Sequence, residues 1–144
     1  MRRIELLAPA RDLVAAMAAI DCGADAVYIG GPNFGARSEA GNPVEDIART
    51  VDYASIFGAR VYATLNTLLF DNELECAERV ARKLVAAGVD ALIIQDMAYM
   101  RMDIEGVEFH ASTQMCNTSS EQVKFIGECG FSRVILERGL SIDY

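Results

Sequence analysis

Apolar positions along this chain follow two alternating rhythms. In one, apolar residues run together, as in Ala26-Val27-Tyr28-Ile29, Val61-Tyr62-Ala63, Ala91-Leu92-Ile93-Ile94 and Val134-Ile135-Leu136. Unbroken runs of this kind fit strands buried on both faces, the mark of a parallel sheet. In the other, they recur at spacings of three and four: Leu13, Met17 and Ile20, then Val44, Ile47, Val51 and Ala54, then Leu74, Ala77, Val80, Ala81 and Leu84. That is the period of a helix with one buried face. The two are joined by a recurring phrase, a helix closing on glycine just ahead of the next apolar run, at Gly23, Gly58, Gly88 and Gly130. Glycine at this position takes the left-handed conformation that turns the chain back towards a sheet. Asn42-Pro43-Val44-Glu45 offers an N-cap, a proline in the first turn and a carboxylate at the third position, and Ser119-Ser120-Glu121-Gln122 offers a capping box.

These signals predict strands over 4–8, 26–30, 61–65, 91–95, 107–111 and 133–136. Helices are predicted over 12–22, 44–57, 73–87 and 119–129, with a shorter one over 97–102. Short right-handed crossovers leave two architectures, an open doubly wound sheet or a closed barrel. No glycine-rich dinucleotide turn follows the first strand, and polar residues stand at every strand end, which favours the barrel. The expectation is a parallel (βα)8 barrel of the TIM type in a single domain over 1–144, with six units present and truncated before closure. Such an arc leaves the edges of strands one and six unpaired and an apolar interior open between them. Self-association through those edges is expected.

Composition narrows the function classes. With 52% hydrophobic and 24% charged residues the chain reads as a globular protein. Its apolar runs are too short to span a bilayer, and the stretch after Arg2-Arg3 is too brief for a secretory signal. A cytoplasmic protein with no membrane partner is expected. Thirteen Lys+Arg against 21 Asp+Glu give a net charge of −8, which disfavours loose binding to nucleic acid but leaves room for a local basic pocket. Cys22, Cys76, Cys116 and Cys129 include no C-x-x-C pair and His110 is the lone histidine, so no metal site within the chain is expected. Asn117-Thr118-Ser119 matches a glycosylation sequon by chance in a chain without an export signal.

In a barrel of this type the chemistry sits at the C-terminal ends of the strands. The tips read Pro9 with Asp12, Gly30-Gly31, Asn66, Gln95-Asp96, Ser112-Thr113-Gln114 and Glu137-Arg138. Gly30 and Gly31 either present backbone N–H groups to an anion or form a glycine-tolerant turn. Arg37, in the following loop, either clamps an anion or is an ordinary exposed arginine. Asn66, Thr113 and Gln114 are candidate substrate contacts, and the two amides serve equally well to tie down loop backbone. Asp96 and Glu137 are candidate general acid–base groups, with Arg138 as the third member of the catalytic set. The competing reading of Glu137-Arg138 is a plain ion pair. His110 lies inside the fifth strand and reads as a core histidine, and no Ser-His-Asp or Cys-His arrangement emerges from the spacing.

Taken together, several phrases resemble one family. They are Glu5-Leu6-Leu7-Ala8-Pro9-Ala10-Arg11-Asp12, Gly23 through Gly31, Phe34 through Asn42, Val61 through Asn66, Gly88 through Ile94, His110 through Gln114 and Leu136-Glu137-Arg138. The chain resembles the N-terminal portion of the collagenase-like peptidase family, whose catalytic type was long unassigned. The resemblance implies a bacterial cytoplasmic enzyme acting in oxygen-independent hydroxylation of RNA, above all tRNA, with a 4Fe–4S cluster in the full-length protein. The family's cysteine motif follows the Glu137-Arg138-Gly139-Leu140-Ser141 phrase and so falls beyond Tyr144. None of the four cysteines here matches it, and the segment alone is expected to be inactive. Where relatives often read Arg-Ala-Arg-Ala, this chain has Arg37-Ser38-Glu39-Ala40, one basic residue fewer for RNA contact. The resemblance equally allows a peptidase acting on peptides, or a non-catalytic barrel subunit of a hydroxylation complex.

Overall fold

Asp25 and Asp90 occupy the same place in the recurring glycine phrase, and the computed structural model shows what they do there. The Leu6 N–H donates to Asp25 Oδ2 at 2.9 Å and the Val61 N–H to Asp90 Oδ2 at 2.8 Å, so each carboxylate hooks the start of the preceding strand. Backbone bonds from Asp25 N to Leu6 O and from Asp90 N to Val61 O lock the same register. Ser132 holds the equivalent place after Gly130 and donates to Phe109 O at 3.3 Å. The structure describes residues 4–36 and 41–141; Arg37 lies outside them.

Hooked in this way, β1 (Leu7–Ala10), β2 (Ala26–Gly30), β3 (Arg60–Leu65), β4 (Ala91–Ile94), β5 (Glu108–Ala111) and β6 (Arg133–Val134) form one sheet in sequential order. Every pairing is parallel. The connecting helices are α1 (Leu13–Asp21), α2 (Val44–Phe57), α3 (Leu74–Ala86) and α4 (Ser120–Glu128), with short 3-10 turns at Asp71–Glu73, Met97–Arg101 and Thr113–Met115. The turn at Met97–Arg101 stands where a short helix was expected.

Three local expectations are corrected. The first strand runs over Leu7–Ala10 rather than 4–8, and Ile4 and Leu6 are 90% and 59% exposed. Leu6 O already accepts the Ala26 N–H, so by the alternation of a parallel ladder Ala8 and Ala10 bond β2 while Leu7 and Pro9 face the open side. A proline, having no N–H to give, is tolerated there. Asn42 does not cap α2. Its side chain is buried and donates to Arg11 O at 3.0 Å and to Gly30 O at 3.2 Å, leaving Pro43 at the cap. The capping box of α4 is half formed. Ser119 Oγ accepts the Gln122 N–H, but the Gln122 amide reaches one residue further back, to the Thr118 N–H.

The sheet has unlike faces. On one, Val27, Ile29, Val61, Ala63, Leu65, Leu92 and Ile94 pack with Ala16 and Ile20 of α1, Ile47 and Ala54 of α2, Val80 and Leu84 of α3 and Ile126 of α4. On the other, Ala26, Tyr62, Ala91 and Ile93 cluster with Leu7, Tyr28 and Ile135, and among the described residues no helix contributes. Helices on one face and a strand order that never reverses make this the arc of a (βα)8-type barrel, not a doubly wound sheet. The arc is strongly curled. A flat sheet would hold β1 and β6 roughly 24 Å apart, yet Arg133 Nη1 reaches Glu5 Oε1 at 2.5 Å across the concave side. The interior combines this apolar cluster with a network of paired polar and charged groups. Tyr62 OH donates to Glu5 at 2.9 Å beneath the Arg133 guanidinium, and the Tyr62 ring meets His110 edge-on at 4.8 Å.

Candidate functional site

At the C-terminal ends of the strands, side chains tie each loop to its neighbours. Asn42 bridges the loops after β1 and β2. Asn66 Oδ1 accepts the Ala36 N–H at 3.0 Å, while its Nδ2 donates to Ser112 Oγ at 3.3 Å, joining the loops after β2, β3 and β5. Asp96 accepts from the Leu69 N–H at 2.9 Å and from the Ala98 N–H at 2.8 Å. The Gln95 amide donates to Gln114 O at 3.1 Å. The buried Asn117 side-chain amide donates to Ser112 O and to Ile135 O, both at 2.8 Å, and the Asn117 backbone carbonyl accepts the Glu137 N–H. The result is a continuous polar collar around the mouth of the arc.

Each candidate residue has a definite place in it. Gly31 donates its N–H to Thr64 O, and a Cβ there would meet Leu65 Cδ2 at 3.0 Å and Thr64 O at 3.1 Å, so its bareness lets β2 approach β3. The Gly30 carbonyl accepts from Asn42. Thr113 and Gln114 open a 3-10 turn capped by Ser112 Oγ, and the Gln114 side chain is exposed. Glu137 and Arg138 do not form an ion pair. Glu137 Oε1 accepts the Arg138 backbone N–H at 2.9 Å, and the guanidinium is exposed. Asp96 bonds neither of them. Grooves of about 310 and 330 Å³ open elsewhere, beside Asp103 and Ile104 and between Leu13 and Tyr53 on the outer helices.

The strongest electrostatics lie deeper in the arc. Arg133 holds the Glu5 carboxyl below its ordinary range, and the His110 bond does the same for Glu108. Burial pushes His110 below its usual value, opposed by the 3.2 Å contact of Nε2 with Glu108. A carboxylate only accepts, so in the neutral ring Nε2 carries the proton, and Nδ1 is a buried lone pair without a partner among the described residues. Among the described residues, the hydrogen bond of His110 is to Glu108.

Residues 11–144 match peptidase family U32. The chain belongs to that family. The U32 chain is 51% identical over 141 residues to the 23S rRNA 5-hydroxycytidine C2501 synthase of Escherichia coli, covering 98% of itself and 22% of that protein. It is 37% identical over 144 residues to the tRNA hydroxylation protein P1 of Bacillus subtilis, covering 97% of itself and 34% of that relative. It thus spans about a fifth to a third of the length of these relatives. The solved structure of the U32 peptidase Mk0906 superposes with a TM-score of 0.70 at 11% identity, over 94% of this chain and 60% of that one, and supports the barrel-type fold.

An iron–sulfur cluster does not fit the residues present. Cys22 and Cys129 end α1 and α4, Cys76 lies within α3 and Cys116 at the rim, and among the described residues no three His, Cys, Asp or Glu side chains group as metal ligands. Nor is any described helix long and apolar enough to cross a membrane. Sequence reasoning passed over Asn117, seen only as a sequon, and the Glu5–Tyr62–Arg133 network. Asn117 had a usable signal, since it is one of several amides placed at strand tips. The network had none, because its members are scattered along the chain.

Proposed function

We propose that this chain is the N-terminal barrel portion of a U32 protein that hydroxylates RNA, and that its substrate base is a pyrimidine of ribosomal RNA rather than of tRNA. The observation carrying this reading is the 51% identity across 98% of the chain with a 23S rRNA 5-hydroxycytidine synthase, against 37% with the tRNA hydroxylation protein. The collar supports it with groups suited to a base edge and its phosphate: the exposed Gln114 amide, the Thr113 hydroxyl, the second oxygen of Glu137 and the Arg138 guanidinium. In this reading Glu137 moves the proton at the reacting base and Arg138 holds the anionic partner. We place the ligands of the 4Fe–4S cluster outside these 144 residues, and the protein in the cytoplasm with its RNA.

The test is nucleoside mass spectrometry of ribosomal RNA and tRNA from cells with and without the gene. Loss of a one-oxygen-heavier pyrimidine from ribosomal RNA is the expected result. Loss from tRNA alone would move the substrate, and unchanged RNA of both kinds would overturn the reading. Complementation with Glu137→Gln or Arg138→Met should fail to restore the modification. The proposal extends to partners: the free edges of β1 and β6 in the 144-residue chain pair with a second copy.

A further inference from the structure

The two ends of the sheet are held by different means. β1 pairs β2 over four residues, whereas β6 pairs β5 only through His110 with Arg133 and Ala111 with Val134. On the convex side the connection from β4 to β5 is the five-residue 3-10 turn Met97–Arg101, so among the described residues no full helix stands between α3 and α4 to brace that stretch. What crosses the concave side is a set of side chains. Glu5, two residues ahead of β1, meets the Arg133 guanidinium at the start of β6 with both oxygens, Oε2 lying 3.4 Å from Nη2. Tyr62 of β3, 1% exposed, donates its hydroxyl to Glu5 at 2.9 Å, and the Arg133 guanidinium lies over its ring, 5.3 Å from the centroid. The bond from Arg133 holds the Glu5 carboxyl below its ordinary range against the opposing effect of burial, so the pair is ionised at neutral pH.

We infer that Glu5, Tyr62 and Arg133 act as a strut that sets how far the sheet curls, and so how wide its mouth stands. Strand twist and tilt curl any such sheet, but they fix the distance between its end strands only where those strands bond each other, and β1 and β6 do not. The strut supplies that fixed distance in both directions. Opening the arc towards the roughly 24 Å of a flat sheet pulls the ion pair apart and strips the buried Tyr62 hydroxyl of its acceptor. Curling it further drives the guanidinium into the Tyr62 ring. The strut lies at the N-terminal ends of the strands, and Asn117 pins the other end of the short β6 segment through Ile135 O. Held at both ends, that segment carries Glu137 and Arg138 at a set distance from the β1 tip. The width of the mouth is therefore determined by contacts made away from it, whatever the mouth binds.

The test is small-angle X-ray scattering of the 144-residue chain, extrapolated to zero concentration, with circular dichroism as the check on the helices. Glu5→Arg sets two guanidiniums against each other. The maximum dimension should then grow by about 5–10 Å, part of the way to the end-to-end span of a flat sheet, with the helical signal unchanged. Glu5→Arg combined with Arg133→Glu rebuilds the pair in reverse and should restore the wild-type dimension. Glu5→Gln keeps an acceptor for Tyr62 and removes the charge, so a smaller opening is expected. An unchanged dimension in Glu5→Arg with the helices intact would show that twist and helix packing alone set the curl, and would overturn the inference. Failure of the double reversal to restore the dimension in a folded chain would overturn it as well. Should Glu5→Arg unfold the chain, Glu5→Gln decides. Opening with intact helices supports the strut, whereas an unchanged dimension, or unfolding of this variant too, refutes it.

Discussion

Glu5 and Arg133 are 128 positions apart in sequence and share a bidentate contact, with Tyr62 as their common neighbour and His110 packed against its ring. His110 has the clearest solution signature of the group. Its folded-state pKa is depressed by burial below the ordinary 6.5, so the neutral ring is the form the fold accepts. Protonation therefore favours the unfolded chain. Stability is fully present above about pH 6.5 and declines as pH falls from there through the folded pKa. Glu5 and Glu108, lowered from 4.5, add their own losses only in a more acidic window. The denaturant midpoint of the wild type should fall between about pH 7 and pH 5, and His110→Gln should flatten that slope. An unchanged slope in the variant would show that His110 is not the titrating group.

Helix termini illustrate how far local sequence governs single elements. Gly58 follows α2 with φ 66° and no atom within 4 Å of an added Cβ, whereas Gly127 lies inside α4 with equally free space and no positive φ. Alanine should thus act with opposite sign at the two sites. Gly58→Ala is expected to destabilise by about 1 kcal/mol through left-handed strain, and Gly127→Ala to stabilise by about 0.5–1 kcal/mol through helix propensity. Paired urea titrations check this, and equal effects would refute it. The same locality decided what was legible. Helix α2 runs over 44–57 as its apolar period predicts, because period, proline and glycine all agree there. Strand β1 was displaced because Ile4 and Leu6 suggested burial, while only its position at the sheet edge explains Pro9. At the rim the residue types were readable and their partners were not. Asn66 and Asp96 spend their polar atoms on amides 30 and 27 residues away, which periodicity does not encode.

At the scale of the molecule, the sheet has an open edge at each end, and each is blunted. Pro9 withholds an N–H on the outer side of β1, and β6 is two residues long. Association of the 144-residue chain through these edges should therefore be weak. Light scattering should show average mass rising only at high concentration, and more steeply for Pro9→Ala, which restores an edge donor. A monomer at all concentrations in both forms would refute edge pairing. The two unlike faces carry a different consequence. Apolar support lies on the convex side with the helices, while paired charges and the collar lie within and around the mouth. The side chains of the collar and inner network are a different set from those that seat the helices. Chemistry and stability can thus be inherited and revised separately on this scaffold, which gives one physical route by which a single family comes to carry names as unlike as peptidase and RNA hydroxylation protein.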